Sequence, residues 1–446
     1  MFLFSPDLRR SIRSLAKALL VITSAVLVSC SGEIEEVSVP EKEVEAESIA
    51  LIPHDGDGVV DERIRKAQER VASGQVPVAS WEALGWAFVA KARQSFDAGY
   101  YTLAEACADE IEGIEAEASE ALLLRGHVAH NLHRFAEAEE IARTLTEREG
   151  GPFDFLLLGD ALIEQGKINE AIEAYQTAVD MRPDLQSYAR VGWVRWMIGD
   201  VPGAIEATKR AVAAGSPQDP DSLAWALTQL AGFYFHQSQV GEAERVVSKA
   251  VTYIPDYPPA LLLRGRMLMD SGDFDEAVSV LEKAAEKNPQ PQYQWALLEA
   301  LEEADEAAGA KELRDTFHAT AERLDPRTYA LYHATKGERI GLAVELAEAE
   351  LEERQDIYTH NALAWALCAK GQLEEAQVHM DEALSVLTDD GRLYFHAAVI
   401  ARRLGNLDEA RDWFSAASDL KHTLFPSERR ILKSLGEELA GNPFSS

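Results

Sequence analysis

The sequence predicts an all-α chain built as a solenoid of about ten helix–turn–helix repeats, and three observations predict it. Small and apolar residues recur at spacings of three and four, the period of a helix rather than of a strand. From residue 85 the same pattern restarts at 119, 152, 185, 224, 258 and 292, steps of about 34 residues with one longer step. The units also carry stop signals, most often a glycine in the middle and a proline or polar turn at the end. A length of 446 residues is long for one core but ordinary for an array, and 47% hydrophobic residues are those of a folded chain.

The most regular unit is 152–185. Leu158, Gly159 and Leu162 lie at helical spacing on a first helix, Gly166 breaks it, and Ile168, Ala171, Tyr175 and Ala178 form the stripe of a second. Pro183 ends that helix, because proline cannot donate an N–H to it. Gly159 and Ala171 leave gaps where two helices can cross closely and receive large neighbours. A hairpin of this kind cannot bury its apolar face alone and needs a similar unit on either side.

The other units align with it. The first has Phe88, Ala92, Gly99 as its turn, Tyr101 and Ala104; the second Leu122, Gly126, Phe135 and Ala138. The fourth keeps Tyr188, Gly192, Gly199 and Ala204, and the fifth Leu227, Ala231, Tyr234, Ala243 and Pro255. The sixth has Leu261, Gly265, Gly272, Ala277, Leu281 and Pro289; the ninth and tenth keep Leu363, Gly371, Ala376 and Ala398, Gly405, Ala410. Ser216–Asp221 inserts a loop between units four and five. Between 292 and 356 the pattern decays: Glu299, Glu302 and Glu303 stand where small or apolar residues belong, and the next unit lacks a glycine at the usual place. That stretch is expected to form two degenerate helix pairs and to kink the array.

This period and alternation resemble the tetratricopeptide repeat family over roughly residues 85–424. The resemblance implies a right-handed superhelix, divided as repeats one to six at 85–291, degenerate pairs at 292–356, repeats nine and ten at 357–424, capping helices at 62–84, and a capping helix and tail at 425–446. Asp61 is expected to N-cap the first helix.

Residues 1–29 stand apart. Arg9, Arg10, Arg13 and Lys17 precede the apolar run Ala18–Val28, which is too short to span a bilayer as a mature helix. The run ends in Leu27-Val28-Ser29-Cys30, which resembles the lipobox of bacterial lipoproteins. The resemblance implies cleavage before Cys30 and lipidation, including palmitate, on that cysteine; Ser31 after it implies the periplasmic side of the outer membrane. Loss of four basic residues and one acidic one would move the net charge from −33 to −36. Such a charge excludes nucleic acid as a partner, since phosphate contact needs a basic face. Residues 30–61 form an acidic tether with seven glutamates between Glu33 and Glu47. With Gly58 set as the turn glycine of a calcium loop, Pro53 and Ile64 stand at the first and last ligand positions, so the stretch is read as a turn before a helix. Cys107 and Cys368 are expected to be free and buried.

No phosphate loop, zinc motif, nucleophile elbow or dinucleotide fingerprint is present, so no enzyme, no cofactor and no small-molecule substrate are expected. His127, His130 and His133 look metal-like, but steps of three drift by about 60° around a helix and do not converge on one ion, so no metal is assigned. The family resemblance implies a concave face built from first-helix positions. It places there Trp86, Arg93, His127, His130, Asn131, Trp193, Trp196, Met197, Trp225, Phe235, His236, Arg266 and Trp365, with Asp160 and Glu164 beside them. Some family members grip a carboxylate terminus with Lys and Asn; the matching places here hold no such set. Aromatic anchors suit a recognition surface. The expected function is a non-catalytic scaffold lipoprotein of the bacterial envelope. It would bind a protein or peptide in its groove, in assembly of outer-membrane, secretion or cell-wall machinery. The alternative is a glycan- or polymer-binding module in polysaccharide export.

Overall fold

The structure is a computed structural model that describes residues 48–148 and 150–441. The leader, Cys30 and most of the acidic tether lie outside the described residues, as do residues 442–446. Among the described residues the regular elements are twenty-two α-helices and two short 3-10 turns, with no strand.

After α1 (Val59–Ala72) the chain forms ten helix pairs. Units one to three are α2 (Pro77–Ser95) with α3 (Gly99–Ile114), α4 (Ser119–Asn131) with α5 (Phe135–Arg148), and α6 (Pro152–Glu164) with α7 (Ile168–Met181). Units four to six are α8 (Leu185–Met197) with α9 (Val201–Ala214), α10 (Pro220–His236) with α11 (Val240–Tyr253), and α12 (Pro258–Ser271) with α13 (Phe274–Lys287). Units seven and eight are α14 (Pro291–Glu303) with α15 (Ala307–Leu324) and α16 (Pro326–Lys336) with α17 (Ile340–Glu353). Units nine and ten are α18 (Ile357–Lys370) with α19 (Leu373–Ala383) and α20 (Gly391–Leu404) with α21 (Leu407–Asp419); α22 (Pro426–Ala440) follows.

Unit three shows why these residues form a hairpin. Pro152 opens α6 where no N–H is needed, and the Asp154 carboxylate accepts from the Gly151 N–H at 2.7 Å. The helix ends where Gly166 turns left-handed at φ 72° and the Lys167 N–H donates back to the Leu162 carbonyl at 2.9 Å. The two helices then cross at Gly159, where a Cβ would lie 2.3 Å from the ring of Tyr175. The same device recurs at Gly192 against Thr208 and at Gly265 against Leu281, while Gly126 receives Leu157 of the next unit.

Two local expectations are corrected and a third is located. Asp61 is not the cap of α1 but its third residue, accepting from the Gly58 N–H at 2.9 Å. It is buried because Lys91 of α2 and His54 reach it at 2.6 and 2.7 Å, and the Lys91 hydrogen bond leads in holding its carboxyl well below the usual range. The turn of unit one is made by Phe96 at φ 55°, and Gly99 opens the next helix instead. In unit eight Gly337 does make the turn, at φ 69°, and arrives early because α16 has only 11 residues.

The array winds until its second turn rests on its first. The Gln355 N–H donates to the Glu164 carbonyl at 3.0 Å, and Arg354 pairs with the Glu164 carboxylate. Thr388 donates its hydroxyl to the Met197 carbonyl, and the His422 ring lies 2.8 Å from the Phe235 carbonyl. The partners of the side-chain contacts are 190, 191 and 187 residues apart. That near-constant offset means the connection closing one unit always meets the first-helix end of the unit about five and a half repeats earlier.

The degenerate stretch owes its odd residues to this winding. Glu299 is fully buried and accepts from Trp295 Nε1 at 3.1 Å, from the Ser427 N–H at 2.9 Å and from the Ser427 hydroxyl at 2.7 Å, while Lys336 Nζ sits at 2.9 Å. The glutamate that spoils the repeat pattern is the seat of α22. Around it Phe317, Tyr329 and Tyr332 are buried, with Phe317 and Tyr332 edge to face at 4.7 Å.

The crossings make opposite predictions for two glycines. Gly159→Ala should destabilise the fold by about 1–3 kcal/mol, since the Tyr175 ring cannot yield. Gly232→Ala, inside α10 with nothing within 4 Å of its Cβ position, should stabilise by up to ~1 kcal/mol. Denaturant titration of both variants reads the difference directly.

Candidate partner-binding groove

A recess opens among the first helices. A cavity of 460 Å³ is lined by His130, Asp160, Ile163, Glu164, Tyr175, Arg190, Trp193, Trp225, Thr228, Gln229 and Pro259. First helices of successive units supply most of this wall: α4 gives His130, α6 Asp160 and Glu164, α8 Arg190 and Trp193, and α10 Trp225 and Gln229. Positions on one helical stripe of each unit are thereby stacked beside one another.

Its floor is a bidentate ion pair. Arg190 donates from Nε and Nη2 to the two Asp160 oxygens at 2.7 and 2.6 Å, and the Tyr175 hydroxyl donates to the same carboxylate at 2.8 Å. Burial alone would raise the Asp160 pKa, but the Arg190 charge and these hydrogen bonds outweigh it and hold it at about 2. Trp193 and Trp225 line the same recess. Gln229 adds a buried side-chain carbonyl oxygen with no partner among the protein's own groups. A recess with aromatic lining residues and a fixed charge pair is suited to binding.

The thirteen expected groove residues divide. His130, Trp193 and Trp225 line the recess. Trp86 and His127 lie further along, half-buried and edge to face at 4.9 Å, with Asn131 nearby accepting from the Tyr101 hydroxyl at 3.0 Å. Arg93 is exposed. His236 is half-buried against Trp196 at 5.3 Å.

The other five are taken up by the chain itself, which corrects their placement on a free surface. Trp196 is 4% exposed, packed on Phe233 and stacked at 6.5 Å on Tyr358 from the second turn. Met197 is 1% exposed beneath the Thr388 contact, and Phe235 is covered by the His422 ring at 5.1 Å. Trp365 stacks on His396 at 4.1 Å and donates to Thr335 at 3.0 Å. Arg266 donates to the Thr423 carbonyl and lies over the Phe425 ring at 5.6 Å. Sequence reasoning missed Arg190, Tyr175, Gln229 and Pro259. Arg190 falls one residue off the expected inner position and Tyr175 belongs to a second helix, so the repeat stripe carries no signal for them.

Among the described residues no group of three or more His, Cys, Asp or Glu is placed to hold a metal ion, and no helix is long and apolar enough to cross a membrane. His133 leaves the helix of the other two histidines altogether, at φ 61° in the turn, stacked on Phe135. Cys107 and Cys368 are free and buried.

With the geometry in view, known proteins supply the class. One tetratricopeptide repeat family model matches residues 234–301, and a second matches 156–220 and 361–421. Tetratricopeptide repeats are thus recognised in units three to seven and nine to ten, and the fold is that of a protein-interaction scaffold. Among solved structures, a thermophilic TPR protein of Thermus thermophilus is 18% identical over 38% of this chain and 92% of its own, with a TM-score of 0.33. The protein MamA is 25% identical over 37% of this chain and 94% of its own, TM-score 0.30. YrrB, described as a TPR protein with an unusual peptide-binding site, is 16% identical over 45% and 98%, TM-score 0.29. No curated protein matches.

The histidines of the inner face set a pH dependence. Burial, then the Arg93 charge, push the His127 pKa down to about 3, and burial holds His236 at about 4. Both stay neutral when folded and take a proton when unfolded below about pH 6.5, so their contribution is full above that pH and is lost as pH falls toward 4. Urea titrations should show stability falling over this window, and His127→Gln should remove part of the slope, at most ~1.4 kcal/mol per pH unit. An unchanged slope would mean that His127 is solvated.

Proposed function

We propose that the chain is a non-catalytic scaffold lipoprotein of the bacterial envelope, anchored through Cys30, that captures an extended protein segment in the recess between Trp193 and Trp225. The observation that carries the reading is the composition of that recess. Trp193 and Trp225 take an apolar side chain, and the Asp160–Arg190 pair beside them takes the polar groups that flank it. Its 460 Å³ suit one or two side chains of an extended segment, not a whole helix. The anchor follows from the lipobox-like run at Leu27–Cys30, and the envelope role in outer-membrane, secretion or cell-wall assembly from the same resemblance.

A glycan or exported polymer is a second reading, favoured by Trp193 standing beside the Asp160–Arg190 pair, since sugars stack on flat rings and hydrogen-bond to charged pairs.

Affinity capture from solubilised membranes tests both. A Trp193→Ala/Trp225→Ala variant should lose its partner by tenfold or more, as anchors worth at least ~1.4 kcal/mol would require. Retention of all partners would end the groove reading. A captured species that survives protease but not glycosidase treatment would decide for the polymer. Cys30→Ser should release the protein from the membrane fraction, and continued association would end the lipoprotein reading.

A further inference from the structure

The inner face of this superhelix is partly occupied by its own later repeats, and the contact that does this has the chemistry of a reversible closure. Consecutive units bury alanine, leucine and aromatic side chains against one another. The two turns meet differently. The connections at 354–356, 387–388 and 421–423 set down on the first-helix ends at 164–166, 197–199 and 235–238. They do so through backbone carbonyls, a hydroxyl, an imidazole and the Arg354–Glu164 ion pair, and beside these polar contacts they cover the side chains of Trp196, Met197 and Phe235. Further along, Arg429 reaches Asp270 at 3.1 Å. Water can replace these hydrogen bonds, so the resistance to opening comes from the exposure of Trp196, Met197 and Phe235.

Two glycines show that the seat is built. Gly166 and Gly199 both have positive φ, but so do Gly272, Gly371 and Gly405 at the same place in their units. The latter three have nothing within 4 Å of their Cβ positions. At Gly166 a Cβ would lie 2.6 Å from the Gln355 carbonyl oxygen, and at Gly199 2.7 Å from that of Leu387. A left-handed turn alone would tolerate asparagine; the approach of the second turn does not. The second half also has the coherence to move as one piece. The buried Glu299–Ser427 contact fastens α22 to unit seven, and Arg392 pairs with Glu428 to fasten it to unit ten.

We propose that the contact between the two turns is a latch that opens and closes while the helix pairs stay folded, and that it gates the inner face. Closed, it covers Trp196 with Tyr358, Phe235 with His422 and Arg266 with Thr423, and leaves the Trp193–Trp225 recess as the accessible part. Open, the covered residues join that recess in a longer groove that admits a longer segment. The closure itself does not depend on what the partner is.

Hydrogen exchange on the full chain tests this through the Gln355 amide, whose protection comes from the Glu164 carbonyl of the other turn. Exchange in segments 353–356 and 387–390 should be at least tenfold faster than in the cores of α6 and α18. It should quicken further at ~1 M salt, where charges are screened beyond about 3 Å. Gly166→Asn/Gly199→Asn should quicken those two segments by a further tenfold or more with helical circular dichroism unchanged. Gly272→Asn/Gly371→Asn, with the same backbone angles and open surroundings, should leave them as in the wild type. Protection of these segments equal to that of the core helices, or loss of it only together with theirs, would show one cooperative body and overturn the latch. Equal effects of the two double variants would overturn the assigned role of Gly166 and Gly199 and with it the seat.

Discussion

Everything in this molecule depends on the close crossing of two helices at a residue with almost no side chain. Gly159 under the Tyr175 ring, Gly192 under Thr208 and Gly265 under Leu281 let their hairpins close. Each closed hairpin still exposes an apolar face that only another hairpin can cover, so the chain grows by stacking. A small rotation at every step then accumulates. After about five and a half units it returns the chain to its own beginning, and the contact between turns is the result.

That contact decides which inner positions can meet a partner. Trp193 and Trp196 sit three residues apart on α8 and look equivalent on a helical stripe. In the wound array one lines the recess and the other lies beneath Tyr358. Phe235 and Arg266 are similarly claimed by the tenth unit's closing turn. The recess lies beside the Glu164 contact with the later repeats, at an Asp160–Arg190 pair that is already satisfied and therefore holds its shape without a ligand.

The local fold was legible because it is written in neighbouring residues: the glycine turn, the alanines of the second helix and the proline stops are at most a few turns apart. Phe96 and Gly99 show the limit of that reading, since a bulky residue takes the left-handed position when the following glycine is already helical. Contacts between turns were not legible, because residues such as Thr388 and Met197, 191 apart, are brought together only by the summed geometry of the units between them. Their trace was nonetheless present. Glu299 and Glu303 broke the pattern because they hold α22, through Ser427 and Arg430, while Glu302 pairs with Arg314 of its own unit and Lys336 of the next. A residue that violates the repeat chemistry marked a long-range partner.

The central claim is that the second superhelical turn rests on the first. The most direct measurement is the distance between spin labels on Asn169 and Glu353, two exposed sites flanking the Gly166–Gln355 contact, in the Cys30→Ser chain with its two buried cysteines left in place. The closed superhelix predicts a dominant, narrow population at short distance. A broad distribution centred at long distance would mean an open array and would contradict it.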